Sequence, residues 1–238
     1  VQGIFNASIA TSTNYNMTNN IIRNLSSTGS SNNVYGLFVS NNGFTGGTIS
    51  NNTFSNYSST GAASTVAGIQ LSGVAATTSL AINQNNINTL SSAGASGIVA
   101  GINVNSGLTI PTLTISKDTI FGLTGNGTTA PLTHGISIAS GTNVTVTNNN
   151  IYDLSQTGVV TAGTQALVNG INIIGGGPTA TPMQITNNRI SDLKAPASTS
   201  VAAAESVRGI AINSSVAGTT YNVHYNTIFL NGTSSGAT

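Results

Sequence analysis

Residues 144–155 read VTVTNNNIYDLS, and residues 183–194 repeat the phrase closely as MQITNNRISDLK. In both, apolar and polar residues alternate up to a cluster of asparagines and resume beyond it. Five further copies occur: YNMTNNIIRNLSS from Tyr15, GTISNNTFSNYSS from Gly47, LAINQNNINTLSS from Leu80, LTISKDTIFGLTG from Leu113 and YNVHYNTIFLNG from Tyr221. Alignment puts Asn20, Asn52, Asn85, Asp118, Asn149, Asn188 and Asn226 in one column. Three residues earlier stand Met17, Ile49, Ile82, Ile115, Val146, Ile185 and Val223. Two residues later stand Ile22, Phe54, Ile87, Ile120, Ile151, Ile190 and Ile228.

A second phrase falls between the copies, a glycine followed by alternating apolar residues: GIFN, GLFV, GIQL, GINV, GISI, GINI and GIAI, at Gly3, Gly36, Gly68, Gly101, Gly135, Gly170 and Gly209. From each glycine to the next column asparagine is 14 to 18 residues. From that residue to the following glycine is 16 or 17 in the first four units and 21 after Asn149 and Asn188. One arc of the unit is nearly constant, and the other tolerates extra residues as a turn loop does on a fixed scaffold.

Period-2 alternation in both phrases argues for short strands, and Ile, Val and Thr favour strands while the intervening Ser, Gly and Asn favour turns. Two or three strands per unit cannot bury a face alone. Parallel stacking of units buries it and pairs every backbone group with the coil above and below. The expected fold is therefore all-β, a single parallel β-helix (β-solenoid) spanning residues 1–238, with about seven coils of 31–39 residues. The column then explains itself. A buried asparagine must satisfy both amide hydrogens and its carbonyl, and an identical asparagine one coil away offers the complementary groups. Asp118 interrupts that column with an acid, read as a substitution that its neighbours hydrogen-bond.

Composition narrows function. Of 238 residues only nine are charged, for a net charge of +1, which leaves no basic face for nucleic acid. Cysteine is absent, so neither disulfides nor thiolate metal sites support the fold. No apolar run approaches the roughly 18 residues that cross a bilayer, so no membrane insertion is expected, and no cofactor.

These phrases resemble the right-handed parallel β-helix repeats of pectate-lyase-like proteins. The closing YNVHYNTIFLNGTSSGAT, with the ITNNxIxDL and GIxI phrases, resembles repeat modules of secreted Bacteroidota-type surface proteins. The likeness implies right-handed coils, export by a type IX pathway and an extracellular or cell-surface setting. It implies no one function, because this scaffold carries lyases, hydrolases, adhesins and spacers.

The related polysaccharide enzymes use clustered carboxylates, and here the whole acidic supply is Asp118, Asp153, Asp192 and Glu205. Asp153 and Asp192 share a repeat position in neighbouring coils, about 5 Å apart by coil spacing, near the separation in a retaining glycosidase. Asn24 and Asn56 hold the same position elsewhere, which reads as a turn preference for Asn or Asp. Arg189 and Lys194 are placed to neutralise the pair. The pectin-hydrolase motifs survive only as fragments at His134 and Arg189, and His134 and His224 read as surface substitutions. The expectation is no enzyme, with Asp153 and Asp192 the only catalytic candidates and a carbohydrate-binding or polysaccharide-cleaving module the alternative.

Outward positions suggest contact surfaces. Phe5 and Phe38 head a column continuing through Gln70, Asn103, Ser137, Asn172 and Ala211, and the two rings form an apolar patch. Phe121, Tyr152 and Phe229 fall on another column, suited to stacking on sugars or to packing under loops. A Thr-rich array led by Thr48, Thr114 and Thr145, of the kind that orders ice, is broken by Ala81, Gln184 and Asn222. No capping segment is evident at either end. A second copy placed after Thr238 would put its Gly3 15 residues beyond Asn226, nearly in register. The expected role is an extracellular structural or adhesive solenoid. It is either a subunit stacking head to tail with copies of itself or a segment among flanking repeats of a longer chain, with surface polysaccharide a further partner.

Overall fold

The computed structural model describes residues 1–6, 12–30, 32–40, 42–73, 75–76, 79–105, 111–160, 167–175, 181–197, 206–214 and 218–230. Among them no helix occurs. The chain opens with β1 (Gln2–Asn6), β2 (Ser12–Thr18) and β3 (Ile21–Ser27), each in a different sheet. The pattern recurs in β4 (Val34–Val39), β5 (Asn42–Ser50) and β6 (Thr53–Ser59). It continues through β7 (Thr65–Leu71), the two-residue β8 (Ala75–Ala76), β9 (Ser79–Asn83) and β10 (Asn86–Ser92). Then come β11 (Ile98–Val104), β12 (Thr112–Ser116) and β13 (Thr119–Gly125), followed by β14 (Leu132–Ile138), β15 (Val144–Thr147) and β16 (Asn150–Gln156). The last strands are β17 (Val168–Ile173), β18 (Met183–Thr186), β19 (Arg189–Lys194), β20 (Val207–Ile212), β21 (Tyr221–His224) and β22 (Thr227–Phe229).

Successive strands of one sheet lie side by side and parallel. The first sheet runs β1-β4-β7-β11-β14-β17-β20, the second β2-β5-β9-β12-β15-β18-β21 with β8 beside β5, and the third β3-β6-β10-β13-β16-β19-β22. The fold is a β-solenoid of three parallel sheets, and the register stacks like on like. Met17 pairs with Ile49, Ile49 with Ile82, Ile82 with Ile115, and the file continues to Val223. Ile22, Phe54, Ile87, Ile120, Ile151, Ile190 and Ile228 form a second file in the third sheet. Ile49, Ile82, Ile87, Ile115, Ile120 and Ile151 are fully buried, so one continuous apolar interior is shared by all three sheets.

The strands depart from strict alternation in two places. In the third sheet Ile22 and Leu25, Ile87 and Leu90, and Ile151 and Leu154 all face the core, three residues apart instead of two. The residue skipped in the pairing adopts a left-handed backbone, as Asn24 (φ 62°), Asn56 (φ 62°), Thr89 (φ 56°), Gly122 (φ 65°), Asp153 (φ 54°) and Asp192 (φ 53°) do. One such residue per strand bends the chain and resets which face looks inward. In the first sheet the repeat glycine is skipped likewise, leaving Val66 and Ile69 both in the core. A Cβ on Gly68 would stand 2.5 Å from Ile87 Cγ2 and 2.9 Å from the Gly101 carbonyl, so the file of isoleucines occupies the space a side chain would need.

The turn between the second and third sheets explains the paired asparagines. Asn19, Asn51, Gln84, Lys117, Asn148, Asn187 and Tyr225 are all left-handed, with φ between 55° and 59°. The next residue in each case is the column member. At Asn52 the side-chain Nδ2 donates to Asn85 Oδ1 (2.9 Å) and back to the Met17 carbonyl (2.8 Å), while the Asn52 backbone N–H donates to the same Oδ1 (3.0 Å). Asn20 donates to Asn52, Asn149 to Asn188 and Asn188 to Asn226 through the same two bonds. At Asp118, Oδ1 accepts from the Asn85 N–H and Nδ2, both at 2.8 Å, and the Asp118 N–H donates to Asn149 Oδ1 at 3.0 Å. The first asparagine of the pair makes the bend, and the second fills the ladder.

Candidate functional site

Three places concentrate chemistry outside the apolar interior. The first is the outer face of the first sheet. The register places Phe5, Phe38, Gln70, Asn103, Ser137, Asn172 and Ala211 in one file, as the alternation implies. Phe5 and Phe38 stack at 5.5 Å between centroids, with planes 12° apart, and Phe5 remains exposed. Gln70, Ser137, Asn172 and Ala211 face outward in the pairing yet are at most 4% exposed. At these four levels an outward position in the sheet is not a solvent-facing one.

A groove of about 250 Å³ lies along this face, with Tyr35 and Phe38 at one end and Gln70, Asn103, His134 and Ser137 among its polar lining. Its amides hold one another: Asn103 Nδ2 donates to Gln70 Oε1 at 2.8 Å, and Gln70 Nε2 donates to the Leu71 carbonyl at 3.2 Å. His134, expected on the surface, is 3% exposed. Its Nδ1 lies 3.2 Å from Asn169 Nδ2, within hydrogen-bonding distance. Burial pushes the His134 pKa down to about 4, so the ring is neutral at physiological pH. The groove thus offers uncharged donors and acceptors beside an aromatic wall, with no ionised group in its lining. Sequence reasoning missed it because Tyr35, His134 and Asn169 belong to a second outward file, built of Tyr35, Ala67, Ala100, His134, Asn169 and Arg208, that no repeated phrase marks.

The second place is the acidic pair. Asp153 and Asp192 occupy the left-handed position of β16 and β19. Lys194 bridges them, with Nζ 2.8 Å from Asp192 Oδ1 and 3.9 Å from Asp153 Oδ1. All three side chains are partly exposed, from 36% at Asp192 to 52% at Asp153. Hydrogen bonding to Asp192, with the charge of both carboxylates, raises the Lys194 pKa. Lys194 offsets one of the two negative charges, and Arg189 lines a surface hollow together with Asp192, Ser191 and Phe229. Asn24 and Asn56 hold the same turn one end of the solenoid away and are joined by Asn56 Nδ2 donating to Asn24 Oδ1 at 2.6 Å. Except at Thr89, the position holds Asn, Asp or Gly, the residues that best tolerate positive φ. Glu205 lies outside the described residues.

The third place is the aromatic file of the third sheet. Phe121 and Tyr152 stack with centroids 5.0 Å apart and planes 1° apart, and Ser191 separates them from the exposed Phe229. His224 is exposed, its ring edge-on to Tyr225. Among the described residues no three His, Cys, Asp or Glu side chains converge as a metal site. The fold and its ladder define a parallel β-solenoid. No protein-family model, curated protein or solved structure matches the chain.

Proposed function

We propose that the chain is a structural or adhesive stretch of an extracellular or cell-surface β-solenoid, a rod that lengthens by laying further coils on its ends and performs no catalysis. The observation behind this reading is the direction of the ladder. Each asparagine from Asn20 to Asn188 donates its N–H and Nδ2 to the Oδ1 of the coil that follows, and Asp118 donates its N–H in the same direction, so Asn226 accepts from Asn188 and keeps a backbone donor facing onward, while Asn20 keeps an Oδ1 facing back. The two rims are complementary in polarity and in apolar files: Met17 and Ile22 are only partly buried at one, and Val223 and Ile228 are 42% and 44% exposed at the other. A coil supplied by flanking repeats, or by a second copy head to tail, fits both. Such a contact is heterologous and does not close, so copies add without limit. The secreted setting rests on the resemblance of the repeat phrases, and the adhesive element on the varied outer face of the first sheet.

Sedimentation velocity on the 238-residue chain tests self-stacking. Growth with concentration, abolished by Ile228→Lys at one rim, is expected. A monomer at high concentration removes head-to-tail stacking and leaves only the flanking-repeat form.

One observation favours a second reading, a carbohydrate-binding module. The first-sheet groove pairs an aromatic wall with neutral amides and a neutral imidazole, which matches the C–H faces and hydroxyls of an uncharged sugar. A glycan array separates the two readings: neutral-glycan binding lost in Phe38→Ala supports the module, and turnover lost in Asp153→Asn or Asp192→Asn would establish a hydrolase or lyase.

A further inference from the structure

One member of the ladder cannot do as an ion what the others do as amides. In each asparagine the Nδ2 donates twice, forward to the next Oδ1 and back to a main-chain carbonyl: Asn85 reaches the Ile49 carbonyl at 3.0 Å and Asn149 the Ile115 carbonyl at 3.1 Å. At Asp118 that corner holds Oδ2. The ladder geometry aims it at the Ile82 carbonyl behind and at Asn149 Oδ1 ahead, and both are acceptors. Oδ2 is buried with no hydrogen-bond partner, in a residue 1% exposed. A carboxylate there sets oxygen against oxygen out of reach of water, whereas a carboxylic acid donates one of the two missing bonds.

We propose that Asp118 is a proton-binding site, held as the neutral acid within the ladder, so that its proton stabilises the solenoid in acid and that contribution is lost when the proton leaves.

The groups around Asp118 do not compete for the role. Asn85, the Ile82 carbonyl and Asn149 do not titrate, and Lys117, the preceding residue, is exposed. No ionisable neighbour contributes to the energetics. Burial raises the Asp118 pKa to about 7, against the lowering effect of the two Asn85 hydrogen bonds. The unfolded carboxyl titrates near 3.8. Stability from the bound proton is therefore complete below that value, declines as pH rises from there, and is gone above about 7. Within that window the unfolding equilibrium constant rises by about tenfold per pH unit. His134 works in the opposite sense. Its depressed pKa gives stability that is complete above 6.5 and falls away as pH drops through about 4.

The experiment therefore compares the native chain with Asp118→Asn by urea unfolding between about pH 4.5 and pH 8.5, so that the His134 contribution cancels in the difference. Asp118→Asn restores the donor. It should be more stable than the native chain, with an advantage that widens by roughly tenfold in equilibrium constant per pH unit up to about 7 and then stays level. In parallel, the ¹³C resonance of the Asp118 carboxyl should titrate near neutral pH. Parallel pH profiles for the two proteins, an Asp118→Asn chain that is less stable or does not fold, or a carboxyl titrating near 4 would each overturn the proposal.

Discussion

The inner corner between the second and third sheets and the outer face of the first sheet are built from the same repeats by opposite rules. At the corner one residue type recurs in six of seven coils, and each copy completes the hydrogen bonding of its neighbour. On the outer face the file changes from Phe to Gln, Asn, Ser and Ala with no residue type dominant. A column that satisfies itself can be extended only with itself. A column that faces loops or ligands is free to differ at each level. Sameness along the rod therefore marks what holds it up, and variation marks where neighbouring levels make no such demand on one another.

The sharpest way to break this contrast is to change one rung. Asn149→Leu removes the Nδ2 that donates to Asn188 Oδ1 and to the Ile115 carbonyl, along with the acceptor of the Asp118 N–H, and leaves only the backbone N–H on Asn188 Oδ1. The substitution should cost about 3–5 kcal/mol in urea unfolding, since several buried polar groups lose partners at once. Asn172→Ala, in the variable file, should cost about 1 kcal/mol or less. If the two losses are equal, the distinction between corner and face has no energetic content.

A smaller loss is expected at the repeat glycines. A Cβ on Gly101 would come within 2.5 Å of Ile120 Cγ2 and 2.7 Å of the Gly135 carbonyl. The carbonyl belongs to a stacked strand and cannot swing away, so Gly101→Ala should destabilise by about 2–3 kcal/mol through overpacking. Gly73, with nothing near its Cβ, is a control for crowding alone, although its φ of 61° carries strain of its own. That strain caps the expected cost of Gly73→Ala at about 1–2 kcal/mol.

What could be read from the residues follows the same division. The ladder and the two apolar files were legible because stacking demands like residues, and Asn, Ile and Gly repeat visibly at 31–39 residue intervals. The two left-handed positions were not both legible. One is held by Asn, Gln, Lys and Tyr in different coils, because φ near 57° is imposed by the turn and constrains identity only weakly. Reading both phrases as unbroken period-2 alternation also missed the skipped residue that puts Ile22 and Leu25 on one face. His134 was misplaced for a related reason. Alternation says which side of a sheet a residue takes, but not whether that side is wet. Longer connections follow Asn149 and Asn188, and parts of both, residues 161–166 and 198–205, lie outside the described residues.

The smallest effect expected is at the acidic pair, and it discriminates most finely between a turn position and a site. Asp153 and Asp192 sit partly exposed in left-handed turns, with Lys194 shared between them. Exposed ion pairs contribute little, so Asp153→Asn and Asp192→Asn should each change stability by less than about 0.5 kcal/mol. Asparagine tolerates the same backbone and already serves at Asn24 and Asn56. Asp153→Val keeps neither the charge nor the tolerance for positive φ, and should cost about 1–2 kcal/mol from the backbone alone. Equal and large losses in the Asn and Val variants would mean that the carboxylates themselves are required, and the pair would then belong with the variable outer face as a place where the rod meets something else.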